Sequence, residues 1–224
     1  MKQLFKTSGF YLFWVIAFIN IIAALLDNVD LQTISKPLLI PILIATLVCS
    51  TTLENNRFLL IIGLFFSFLG DVALMLERQN SSFFIIGLLA FLLTHLFYIA
   101  FFFKIKASNS SLLKDKPYLV LLIILYTAGL LYLLIPKLGA LVIPVIVYAV
   151  ILTTMFIASL YAYNNITKPA NILFGIGAAF FVASDTLLAI NKFYSPIPAS
   201  GLLIMLTYCL AQFFIVKGFI KKQQ

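Results

Sequence analysis

The chain has 224 residues, of which 63% are apolar and 10% charged, and its 15 Lys+Arg against 7 Asp+Glu give a net charge of +8. A water-soluble domain carries about 25% charged residues and no succession of long apolar blocks, so a soluble globular enzyme is excluded. The apolar residues run continuously instead of alternating, which excludes a transmembrane β-barrel as well. At roughly 20 residues per span, the length predicts an all-α integral membrane protein of about eight helices, a single transmembrane domain over residues 1–224. The basic residues lie between apolar blocks, where they set topology and meet lipid headgroups; no nucleic-acid partner is expected.

Eight apolar blocks follow one another at 9–26, 36–53, 57–76, 82–103, 117–135, 139–162, 169–190 and 197–219. Each predicts a membrane helix. The first follows Lys2 and Lys6, as the core of a signal peptide would. It is too long for that role and no small-residue cleavage site follows Leu26, so it reads as helix 1. Breakers punctuate the connections: Asp27 with Asn28, Glu54 with Asn55 and Asn56, Gln79 with Asn80, Asn164 with Asn165, and Ser195 with Pro196. Lys36 and Pro37 are expected to open helix 2, since proline favours a first turn. Cys49 and Cys209 fall inside apolar blocks, without disulfide or zinc spacing.

Orientation follows from the basic residues. The N-terminus, the 2–3, 4–5 and 6–7 connections and the C-terminus hold eleven Lys/Arg; the other connections hold Lys36, Arg78, Lys137 and Lys192. Lys104, Lys106, Lys114 and Lys116 carry most of the bias. Cytoplasmic loops are enriched in Lys and Arg, so both termini are predicted to be cytoplasmic.

A shift of 114 residues superimposes helices 3–4 on helices 7–8 without a gap: Gly63, Phe66, Asp71, Leu74 and Gly87 meet Gly177, Phe180, Asp185, Leu188 and Gly201. No comparable match joins helices 1–2 to 5–6, so the repeat is partial. An offset of four spans leaves both halves in one orientation, a parallel repeat about the membrane normal. Asp71 and Asp185 are then expected at one depth, roughly 8 Å below the outer interface, facing a common centre.

Those two carboxylates carry the chemistry. An acid inside an apolar helix costs at least ~2.5 kcal/mol on insertion scales and defaults to a functional reading. Two acids at one centre are coupled and hold a proton between them, as a general acid beside a general base does. The bland alternative is a polar clamp, with Asp71 bonded to Ser67 one turn back or to a neighbouring helix. His95, the sole histidine, has Tyr98 on its face at i+3. Counted from the outer end of helix 4 it falls about 10 Å deeper than the acids. Lys36 is a candidate phosphate anchor for a lipid headgroup, and Tyr148, Tyr208 and Gln212 place further polar atoms on helices 6 and 8. No metal or other cofactor is expected: one histidine and two aspartates show no ligand spacing.

The ordered set of Lys36, Pro37 and Leu38, then Gly63, Ser67, Gly70 and Asp71, then Gly87, Phe91, His95 and Tyr98, then Gly177, Ser184 and Asp185 resembles the YhhN-like lysoplasmalogenase family over residues 30–218. The resemblance implies eight transmembrane helices and, as in characterised animal members, hydrolysis of the vinyl ether bond of lysoplasmalogens. The products are a fatty aldehyde and a glycerophospho-ethanolamine or -choline. It places the family's aspartates at Asp71 and Asp185 and its intramembrane histidine at His95, as catalytic residues. Lys36, Ser67, Tyr98, Tyr148, Ser184, Tyr208 and Gln212 are the corresponding candidates for contacting a lysophospholipid substrate. The expected setting is the bacterial cell (inner) membrane, among membrane lipids. A proton-coupled transporter also uses parallel repeats and paired intramembrane acids, and a lipid-binding protein without turnover is the third reading.

Overall fold

The computed structural model describes residues 2–52, 55–105, 113, 116–162 and 168–223. Glu54, Lys106, Lys114, the polar stretch 108–110, Asn164 and Asn165 lie outside the described residues. Every regular element among them is helical: α1 Lys2–Leu25, α2 Val29–Ser50, α3 Asn55–Leu76, α4 Ser82–Lys104, α5 Tyr118–Leu138, α6 Val142–Tyr161, α7 Lys168–Ala189 and α8 Ser200–Lys222. Seven helical stretches are long and apolar enough to cross a membrane, one of them the 44-residue run Tyr118–Tyr161. Gly139, with φ of +54°, divides that run between α5 and α6. A residue with a Cβ is disfavoured in this left-handed region. The chain is a multi-pass membrane protein.

Helix 2 differs from its predicted start. It begins at Val29, so Lys36 lies two turns inside it and Pro37 and Pro41 are interior prolines. The polar residues between the predicted and observed starts satisfy themselves locally. Asn28 caps the helix by accepting from the Leu31 amide at 3.0 Å, while Thr33 and Ser35 donate to the carbonyls of Val29 and Leu31. Pro37 and Pro41 each remove one helical donor, a defect that membrane helices tolerate when packed against neighbours. At its far end α7 continues through a π-helical turn, Ile190–Tyr194.

Helices α1 with α2, α3 with α4, and α7 with α8 pack as antiparallel pairs. The pairs close on one another through α1–α8, α2–α3 and α2–α8 contacts, and α6 bridges α4 and α7. Helix α5 rests mainly on α6, the turn beside Gly139 and the π turn, leaving Leu121, Leu122 and Leu125 exposed. Glycine permits the closest approaches. A Cβ on Gly177 would lie 3.0 Å from the Ala211 carbonyl oxygen on α8, and one on Gly63 would lie 2.5 Å from the Tyr98 ring on α4.

Candidate active site

Asp71 sits on α3 five residues before its end, 2% exposed. Its Oδ2 accepts a 2.5 Å hydrogen bond from the Tyr208 phenol on α8, and Lys36 Nζ on α2 lies 3.6 Å from Oδ1. The network continues inward. The Ser67 hydroxyl lies 2.8 Å from Tyr208 Oη, Gln212 Nε2 donates to Ser67 Oγ at 2.7 Å, and the Tyr98 phenol donates to Gln212 Oε1 at 2.8 Å. Tyr208 gives its proton to Asp71, so Ser67 donates to Tyr208. A chain of polar side chains from α3, α4 and α8 is thus satisfied end to end, as a dry membrane interior requires.

Asp185 on α7 has a parallel dressing. Its Oδ2 accepts from the Tyr148 phenol on α6 at 2.6 Å, and His95 Nε2 on α4 stands 3.3 Å from the same oxygen and 3.0 Å from Tyr148 Oη. Because Nε2 faces a carboxylate oxygen, it carries the ring proton. His95 Nδ1, buried and without a hydrogen-bond partner among the described residues, is then a bare acceptor. The Phe181 ring closes the imidazole off from the edge, with centroids 4.7 Å apart.

Both carboxyls line one polar cavity of about 210 Å³, together with Lys36, Asn20, Glu77 and Tyr208. Glu77 is ion-paired with Lys192. On the other side of Leu74, Phe91 and Leu188, a smaller apolar pocket lies between α4, α5, α6 and α7, and Asp185 with Tyr148 reaches into it. Asp185 therefore stands where a polar compartment meets an apolar one. Among the described residues, no three His, Cys, Asp or Glu side chains gather at one point.

The structure gathers Asp71, Asp185, Lys36, Ser184 and Tyr208 around the cavity, with His95 and Tyr148 held against Asp185. Ser67, Tyr98 and Gln212 form the network beneath Asp71. Three expectations change. Asp71 is held not by Ser67, which serves Tyr208 and Gln212, but from a neighbouring helix, by Tyr208. Ser184 donates to the Ile204 carbonyl at 3.1 Å, tying α7 to α8. His95 is not about 10 Å deeper than the acids but in contact with Asp185. The π turn puts Asp185 nine residues, about 13 Å, from the end of its helical run. Side chains also lean toward the N-terminus of their own helix, so those on the antiparallel α4 and α7 lean toward each other's level. Sequence reading passed over Asn20, Gln32 and Glu77, all on the cavity wall. Asn20, buried in an otherwise apolar helix and donating to Ser35 Oγ at 2.8 Å, carried a usable signal.

The chain is similar to known proteins. Human "Lysoplasmalogenase TMEM86A" is 34% identical over 169 residues, covering 73% of this chain and 65% of the human one. Its bovine counterpart is 33% identical with the same coverage. The "Lysoplasmalogenase" of Mycobacterium tuberculosis is 31% identical over 180 residues, 80% of this chain and 66% of that protein. The chain thus spans just under two thirds of these relatives' length. No solved structure matches it. Residues 31–219 match the YhhN family, from the polar start of α2 to the end of the α8 core, so the chain belongs to that family.

Proposed function

We propose that this protein is a membrane-embedded hydrolase that cleaves the vinyl ether bond of lysoplasmalogen-like lysophospholipids, releasing a fatty aldehyde and a glycerophospho-headgroup. One observation carries the reading: a buried and a half-buried carboxylate, each bonded to a tyrosine, share the wall of one cavity with a lysine. The similarity to proteins named lysoplasmalogenase supports it. Lys36 takes the phosphate and the apolar pocket beside Asp185 takes the start of the hydrocarbon chain.

Hydrolysis starts with protonation of the β-carbon of the vinyl ether by one aspartic acid, which turns the C=C bond into an oxocarbenium ion. The second carboxylate stabilises that cation and accepts a proton from the attacking water. The resulting hemiacetal collapses, breaking the C–O bond to give the aldehyde and the glycerol hydroxyl, and the proton balance returns to the pair. Tyr208 and Tyr148 hold the two carboxyls in place, and His95 orients Asp185. No cofactor enters this scheme.

In this reading α5 and α6 are separate spans, giving eight, with both termini cytoplasmic and the cavity opening at the outer face. The setting is the bacterial cell (inner) membrane, and the whole chain acts as one domain. The α3–α4 and α7–α8 pairs are the halves of a partial parallel repeat. In support, Tyr98 and Gln212, separated by the 114-residue offset, are bonded to each other. Purified protein in lipid nanodiscs, given a lysoplasmenyl-ethanolamine, should release aldehyde. Binding without release would leave the carrier or lipid-binding reading in its place.

A further inference from the structure

Helices α5, α6 and α7 enclose a groove of about 350 Å³, lined by Ile123, Thr127, Phe156, Leu160, Ala179 and Val182 among others. Its few hydroxyls are satisfied: Thr127 and Thr153 are bonded at 2.7 Å across it. The groove starts beside the site. Tyr126 on its wall is bonded at 2.8 Å to Thr186, which lines the apolar pocket and follows Asp185 in sequence. From there it runs away from the end that holds Lys36 and Glu77, along α6 from Thr153 to Leu160 and along α7 from Ala183 to Ala179.

We propose that this groove holds the hydrocarbon chain of the lysolipid and sets the chain length that the enzyme accepts. The inference rests on the hydrolase reading above. A lysolipid whose phosphate meets Lys36 and whose first chain carbons meet Asp185 must send the rest of its chain past Thr186, and the groove lies on that path. The path from the acid to the groove's far end fits. Tyr148, the partner of Asp185, stands twelve positions before Leu160, about 18 Å along α6, and the groove takes the part of that path beyond Thr153. A zigzag of ~1.5 Å C–C bonds covers that distance in roughly fourteen carbons. In a bilayer, exchanging lipid contact for protein contact brings no hydrophobic gain, so what the groove contributes is packing and position. Held along its length, the chain keeps the reacting carbon against the carboxyls.

The test is a chain-length profile. Wild-type protein, Ala179→Phe and Ile123→Trp, each in nanodiscs, are assayed on lysoplasmenyl-ethanolamines with alkenyl chains of about six, ten and sixteen carbons. Ala179 is exposed, six residues before Asp185. A ring there crosses the groove about 9 Å from the acid, roughly seven carbons along. In both variants kcat/KM for the longest chain should fall at least tenfold relative to the shortest, whose retained turnover shows that the fold is intact. If wild type turns over the series and both variants alter all lengths alike, or none, the chain lies elsewhere and the groove houses a bulk membrane lipid. If wild type releases aldehyde from no member, the hydrolase reading falls and this one with it.

Discussion

Asp71 and Asp185 each hold one oxygen against a phenol from another helix, which leaves the rest of the carboxyl for the cavity. Asp71→Asn and Asp185→Asn should each lower aldehyde release at least ~10²-fold with expression intact, since asparagine keeps the shape but cannot pass the proton. Near-normal release in both would make the acids structural. Tyr148→Phe deletes the hydrogen bond that holds the Asp185 carboxyl, worth about 0.5–3 kcal/mol, and should slow turnover roughly 2–100-fold; the matching loss in Tyr208→Phe would show that the two acids are supported alike. Chelation followed by elemental analysis should leave activity unchanged; stoichiometric metal lost in His95→Gln together with activity would make Asp71, His95 and Asp185 ligands. Asp71, Asp185 and His95 were legible in sequence because an ionisable group in an apolar helix is costly. Which tyrosine meets which acid was not, because those bonds join residues 37 and 137 positions apart and depend on how the helices pack.

At the scale of helices, apolar runs located the helices but not the polar turns that extend them. The start of α2 was misplaced because a cap at Asn28 and hydroxyls folded back onto helix carbonyls make Asp30, Gln32 and Ser35 compatible with helix. That error displaced Lys36 from a helix end to a position on the cavity wall. Lys36→Met should therefore raise KM for phosphate-bearing lysolipids several-fold more than it lowers kcat, measured against a substrate without the phosphate. The glycine contacts make a second prediction. Gly177→Ala pushes a methyl into the α8 backbone at Ala211 and Ile215. Overpacking of this kind costs about 1–3 kcal/mol, visible as a lower melting temperature in detergent. An unchanged transition would mean that α7 and α8 have room to separate.

Over the whole molecule, orientation rests on the split of basic residues. Reporter fusions at Gln224 and within residues 108–110 should both read cytoplasmic, and one near Asn80 should read outside; an outside C-terminus would turn the site to the inner face. The helical class was legible because continuous apolar blocks of this length admit little else. The meeting of a polar cavity with an apolar pocket was not, since α2, α6 and α7 reach Asp71 and Asp185 from distant parts of the chain.

The bond between Tyr98 and Gln212 has a historical reading. On the proposed twofold, two corresponding positions can touch only where the axis passes between them. In a dimer of identical ancestral halves, that position would have faced its own copy, phenol against phenol or amide against amide. A phenol matched to a carboxamide oxygen needs two different residues, hence two copies free to diverge. If the two halves are such a repeat, the pair arose after duplication, once the two copies were free to differ.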